Sequence, residues 1–136
     1  MRFNVEFDAY RYSIFKISDL KDCLVNILHI VLTKQPGFMS INVNSDEQSV
    51  ILKSDLCDGI TPLSINSTIY RLMKVDQDSP GIDEYGVLSE LTKKLAHHQI
   101  PVLIISSFNN NYVLYPDELH PTILKMCESS DFTIMQ

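Results

Sequence analysis

Residues 95–115 constrain the fold more than any other stretch of the chain. They run Leu-Ala-His-His-Gln-Ile-Pro-Val-Leu-Ile-Ile-Ser-Ser-Phe-Asn-Asn-Asn-Tyr-Val-Leu-Tyr. A helix end comes first, then an apolar β-branched run of the kind found in a central strand, then a polar turn, then a returning strand. Asn109, Asn110 and Asn111 turn the chain, because asparagine tolerates the left-handed region. Helix, strand, turn and strand in so short a span require a mixed α/β layer rather than a bundle or a sandwich.

The rest of the chain extends this pattern. Residues 11–17 alternate as a strand, and Ser18-Asp19 can cap the helix that follows. Leu20, Cys23, Leu24, Ile27, Leu28 and Val31 recur at helical spacing, while Val25, Ile30 and Leu32 lie off that stripe. A helix so apolar around its circumference is expected to be buried on more than one side. Gln35-Pro36-Gly37 ends it, and residues 38–43 and 49–53 read as a hairpin around Asn44-Ser45-Asp46-Glu47. Residues 55–68 read as a connection with a short helical turn.

Residues 69–75 form a strand, 76–85 an acidic loop, and Gly86 opens a second helix whose buried face is Val87, Leu88, Leu91 and Leu95. After the hairpin, Pro116 stands at the first position of a third helix with Leu119, Ile123 and Cys127 inside, and residues 132–135 close as a last strand. The second half therefore reads β-α-β-β-α-β, and the first half β-α-β-β with a weak remnant. The expected fold class is α+β, two ferredoxin-like units in tandem over residues 1–66 and 67–136.

Composition narrows the partners. The chain has 136 residues, 45% of them apolar, so each half can bury a core. A net charge of −6 argues against nucleic acid, which demands a basic footprint. No apolar run is long enough to span a bilayer, and residues 1–8 alternate apolar and polar without the apolar segment of a signal peptide. Cys23, Cys57 and Cys127 form no Cys-x-x-Cys pair, which points to a reducing, cytoplasmic setting and to neither a disulfide framework nor a zinc knuckle.

Catalytic and cofactor motifs are missing from the chain: there is no Gly-x-Gly-x-x-Gly, no Walker loop and no His-Glu-x-x-His. His97 and His98 point about 100° apart on a helix, so they do not share a metal easily. No catalytic residue, cofactor or metal site is expected. Binding chemistry is better represented. Gly86 at a helix start offers free amides to a carboxylate, although a glycine there also simply eases the loop into the helix. Asp76, Asp78, Asp83 and Glu84 suit a cationic group, or are a solvated loop. Ser106, Ser107 and Phe108 end the strand with hydroxyls that serve either a small polar ligand or the turn backbone. Gly86, Val102 and Ser107 are expected to line one cleft.

Several segments together resemble the ACT domain proteins, of the subgroup that includes the cytosolic arginine sensors (CASTOR-like) and the small tandem-ACT proteins. Phe38-Met39-Ser40-Ile41 followed by residues 45–51 resembles that family's hairpin. Gly86-Val87-Leu88 resembles its glycine-led helix start, Ile105 through Leu114 its strand-turn-strand signature, and Asp117-Glu118-Leu119 the segment that follows. The resemblance implies paired ACT units with an amino-acid effector at a unit interface, a protein partner in a signalling or metabolic regulatory complex, and a homodimer. It places ligand contacts at Asp83, Glu84, Tyr85, Gly86, Val87, Pro101, Val102, Ser107, Phe108 and Asn111. Pro101 stands where the family has serine, and Asn111 where it has aspartate. The expected function is therefore non-enzymatic regulation or sensing, with a ligand-free interaction module of the same fold as the alternative.

Overall fold

The computed structural model describes residues 2–34, 36–62, 64–77, 86–108 and 110–135. In chain order the elements are β1 (Phe3–Phe7), β2 (Tyr12–Ile17), α1 (Leu20–Thr33), β3 (Ser40–Val43), β4 (Gln48–Lys53), β5 (Ser64–Ile65), β6 (Tyr70–Gln77), α2 (Val87–His97), β7 (Leu103–Ser106), β8 (Asn111–Pro116), α3 (His120–Met126) and β9 (Phe132–Ile134). Short 3-10 turns occupy Ser54–Leu56 and Asp117–Leu119. The chain divides into two compact units, Tyr10–Ile69 and a terminal unit made of Met1–Ala9 with Tyr70–Gln136. The α+β, ferredoxin-like class read from the sequence is the one observed.

In the Tyr10–Ile69 unit, β2 pairs antiparallel with β4 on one side and β5 on the other, and β3 pairs with β4. The plan is β-α-β-β-β, with the Ser54–Leu56 turn where a second helix would stand. Asp19 caps α1, its carboxylate accepting the Lys21 N–H at 3.1 Å, and the Leu20 N–H donates to Gln48 Oε1 at 2.5 Å. Period-2 alternation turns Phe15 and Ile17 of β2 and Val50 and Leu52 of β4 towards Cys23, Ile27 and Ile30 of α1. Asn44 Oδ1 accepts the N–H groups of Asp46 and Glu47, which closes the β3–β4 turn. The expected burial of α1 on a second side is not found. Leu24, Val25, Leu28, Val31 and Leu32 are all exposed, Val25 at 78%, because the sheet covers only the stripe of Cys23, Ile27 and Ile30.

In the terminal unit the strand order is β7-β8-β6-β1-β9. Elements β6 to α3 supply β-α-β-β-α, but the strand beside β6 is β1 from the chain's start. Phe3 lies opposite Gln77 and Phe7 opposite Met73, antiparallel, and β9 joins as a parallel edge on β1. The 1–66 and 67–136 division follows the chain, and the contacts depart from it at this strand. The alternation of Phe3, Val5 and Phe7 is a strand signal of the ordinary kind; its partners are some 70 residues away in sequence, which no local pattern announces. Phe3 and Val5 are fully buried among Met73, Val75, Leu91, Leu95, Val113, Tyr115, Ile123 and Met126.

Three details differ from expectation. The apolar run at 101–105 yields β7, which pairs only with β8 among the described residues and so is an edge strand rather than a central one. Leu88 on α2 is exposed while Leu91 and Leu95 are buried. Pro116 ends β8 instead of starting a helix; the chain passes through a 3-10 turn, and α3 begins at His120 with Pro121 in its first turn.

Two outcomes follow from this packing. Phe3→Ala is expected to cost about 3–5 kcal/mol in urea denaturation, the usual range for a buried phenylalanine. Burial pushes the Cys127 thiol up to about 11, so in native protein at neutral pH Cys127 stays unlabelled by iodoacetamide and becomes labelled in denaturant.

Candidate functional site

The helix α2 opens on Gly86, whose φ of 90° is left-handed. Glycine takes that conformation freely, whereas an L side chain pays about 1–2 kcal/mol. A Cβ at Gly86 would meet nothing within 4 Å, so backbone conformation and not crowding selects glycine here. Its carbonyl accepts the Glu90 N–H at 2.8 Å, the first bond of the helix. Gly86 is exposed and has no side chain to cap the first-turn amides, and among the described residues no side-chain cap bond is made there. A helix start carries partial positive charge on those amides.

Val87 follows as the first helical residue and packs partly against the core of the terminal unit. Asp83, Glu84 and Tyr85, expected before it, lie outside the described residues, as do Asp78 and Asn109. Pro101 and Val102 precede β7, Pro101 exposed and Val102 packed on the core. Ser107 and Phe108 follow β7, and the Phe108 side chain is fully exposed.

The expected single cleft of Gly86, Val102 and Ser107 is not what the register provides. Ser106 lies opposite Asn111 and Asn111 opposite Val75, while Leu103 lies opposite Leu114 and Leu114 opposite Leu72. Val102 and Ser107 thus flank opposite ends of β7, about 16 Å apart at a strand's rise per residue. The structure instead groups Ser106, Ser107 and Asn111 at the end of the sheet where β6 finishes. There Ser106 Oγ donates to Asn111 Oδ1 at 2.7 Å. The Ser107 N–H donates to the Asn110 carbonyl at 2.8 Å, and its hydroxyl reaches the same oxygen at 3.4 Å. These polar groups stabilise the hairpin.

A second concavity in the terminal unit, of about 340 Å³, is lined by Glu90, Lys93, Lys94, His97, His98, Met126, Ser129 and Phe132. On sequence alone His97 and His98 have no role as a metal pair. The available signal was the i, i+4 spacing of Lys93 with His97 and Lys94 with His98, which sets each histidine one helical turn beyond a lysine. Most of the lysine charge is already answered. Lys94 Nζ donates to Asp131 Oδ2 at 2.7 Å, Lys93 lies 3.9 Å from Glu90, and a His98 ring nitrogen, Nδ1, sits 2.9 Å from the Lys94 carbonyl. Among the described residues no group of three or more His, Cys, Asp or Glu is placed to hold a metal. No described helix is long and apolar enough to cross a membrane.

Comparison with known proteins follows the same half of the chain. Residues 67–125 match the family model described as ACT domain, a span that takes in Gly86, α2 and the β7–β8 hairpin. Among solved structures, an Agrobacterium tumefaciens protein is similar with a TM-score of 0.70 at 16% identity, over 99% of this chain and 93% of that one. A Vibrio cholerae protein of unknown function, described as a possible transport protein, gives 0.68 at 16% identity over 91% and 86%. The ligand-free regulatory subunit of aspartate kinase from Thermus thermophilus gives 0.61 at 10% identity over 90% and 93%. At these identities the likeness is one of fold. No curated protein sequence matches the chain.

Replacing Gly86 by alanine is expected to lower stability by about 1–2 kcal/mol in urea denaturation, with helix content by circular dichroism unchanged. Acid should reveal the Lys94–Asp131 bond. The hydrogen bond and charge of Lys94 hold the Asp131 carboxyl below its ordinary value of 3.8, so its contribution is complete above that pH and is lost as pH falls towards the lower folded value. The melting-temperature difference between the wild type and Asp131→Asn is therefore expected to be full at pH 6, to shrink once pH drops below 3.8, and to be lost below the still lower folded value.

Proposed function

We propose that this chain is a cytoplasmic regulatory protein that binds a small effector, an amino acid, at the Gly86 end of α2, and that binding changes its affinity for a protein partner. The observation that carries the reading is the match of residues 67–125 to the ACT domain coinciding with a left-handed glycine at a helix start that no described side chain caps. The α-carboxylate of the effector accepts the first-turn amides of α2. The acidic residues Asp83 and Glu84 answer its cationic groups, and Tyr85 and Val87 flank it. In this reading Pro101, Val102, Ser107, Phe108 and Asn111 shape the terminal unit around the effector. The protein acts by binding and not by catalysis, and it works as a homodimer of two-unit chains. Effector and partner affinities are linked by one coupling free energy, typically about 1–3 kcal/mol.

The alternative, an interaction module of the same fold without a ligand, draws on one observation. Asn111 Oδ1 and the Ser107 N–H are engaged inside the hairpin.

Thermal denaturation in the presence of each of the twenty amino acids separates the two. A ligand at about 100 times its Kd adds roughly 2.7 kcal/mol, which raises the midpoint by several degrees. The proposal expects such a rise for one amino acid or a related group, lost in Gly86→Leu while circular dichroism is retained. A flat response from folded protein supports the ligand-free module.

A further inference from the structure

One histidine ties the start of α3 to two strands of the terminal unit. His120 is the first residue of that helix. Its Nδ1 lies 2.8 Å from the Tyr115 hydroxyl oxygen of β8, and its Nε2 lies 3.4 Å from Arg71 Nη2 of β6. The Tyr115 ring runs parallel to the imidazole with centroids 6.0 Å apart, and Phe7 of β1 meets it edge-on at 5.5 Å. Arg71 and Tyr115 are direct cross-strand partners, so both side chains stand on one face of the sheet.

These contacts fix where the imidazole proton sits. An arginine nitrogen only donates. Nε2 therefore meets Arg71 with its lone pair, and the ring is neutral with its hydrogen on Nδ1, donated to the Tyr115 oxygen. Arg71 is short of other acceptors. Its side chain is only 14% exposed, Asp117 Oδ1 stands 3.6 Å from its Nη1, and its buried Nε has no hydrogen-bond partner among the described residues. A second proton on His120 takes away an acceptor that Arg71 uses and turns an N–H on the guanidinium. Lost hydrogen bond and like charge both oppose that proton.

We propose that His120 is an acid-sensitive latch, which holds the start of α3 to β6 and β8 while neutral and releases that turn when protonated. The charged and titratable groups around it among the described residues are Arg71, Asp8, Asp117, Tyr115 and Cys127. Burial, the largest cause, raises the Tyr115 phenol well above its ordinary value of 10.0 and the Cys127 thiol to about 11, so neither changes charge near neutral pH. The carboxylates Asp8 and Asp117 favour an imidazolium, but Asp117 is turned to Arg71 and is 38% exposed, and the direct Arg71 contact outweighs them. The folded His120 therefore titrates below the ordinary value of about 6.5. Its contribution to stability is full above that pH and is lost as pH falls from there to the lower folded value. The latch is independent of the effector reading.

The test is an NMR titration of the histidine rings in the full chain, with the His120 signal assigned by its loss in His120→Gln. The wild-type midpoint is expected below about 6.5, to rise towards it in Arg71→Met, and to fall further in Asp117→Asn. Amide exchange then reads the release. On the acid side of the measured midpoint the amides of α3 are expected to lose protection relative to those of β8, and in His120→Gln the two sides are expected to agree. Should Arg71→Met fail to fold, the wild-type midpoint and Asp117→Asn decide the matter. A wild-type midpoint at or above the ordinary value, or one unmoved by Arg71→Met, overturns the assigned contact. Equal α3 protection on both sides of the midpoint, or the same loss in His120→Gln, overturns the latch.

Discussion

The pairing of β1 with β6 is the contact on which the remainder depends. An antiparallel ladder from Phe3 opposite Gln77 to Phe7 opposite Met73 brings the start of the chain into the sheet of its second half. Without it β6 would lack a neighbour on that side and β9 would lack its partner altogether among the described strands. Phe3 and Val5 would leave a gap among Met73, Val75, Leu91, Leu95 and Val113, and interiors do not tolerate such voids cheaply. In chain terms, Tyr10–Ile69 is therefore inserted between two neighbouring strands of one sheet.

That arrangement explains why the terminal unit is the one with a candidate site. Strand β6 is hydrogen-bonded on both sides, to β1 and to β8. A strand held in this way is a rigid base from which the chain can leave at Gln77 and return at Gly86. The β8 strand, paired to β6 and to β7, fixes Asn111 and Ser106 at the same sheet end as Val75. A small ligand needs groups carried on rigid elements, and in the proposed binding mode Gly86 would contribute by its left-handed backbone rather than by any side chain. The inserted unit is built on a smaller economy, with a 3-10 turn in place of a second helix. Its one helix keeps an apolar face in excess of what its own sheet covers.

Much of this was legible in the sequence. The strands β2, β4, β6 and β8 and the helices α1 and α2 declare themselves by period, and Asp19 and Gly86 mark helix starts correctly, whereas α3 begins at His120 and not at Pro116. What was not legible depends on long-range pairing. The alternation of Phe3, Val5 and Phe7 identifies a strand but not its partners. The β-branched run of 101–105 has the composition of a central strand, and only the absence of a partner beyond β8 among the described residues makes β7 an edge. Leu24, Val25 and Leu28 read as core because hydrophobicity alone does not distinguish a face buried by its own chain from one left exposed. For the site, the residue types were visible and their grouping was not. Gly86, Val102 and Ser107 read as one cleft because the loop before α2 was expected near the strand after it, yet that strand holds Val102 and Ser107 apart.

Native-state amide hydrogen exchange along β1 tests this account most directly. If β1 is an integral strand of the terminal unit, the amides of residues 3–7 that bond across to β6 and β9 exchange only through global unfolding, with the same protection free energy as those of β6. Exchange of these amides at the rate of a frayed terminus, while residues 70–77 and 111–116 remain protected, would contradict it: the terminal unit would then be complete without its first strand, and Tyr10–Ile69 would not be an insertion in it.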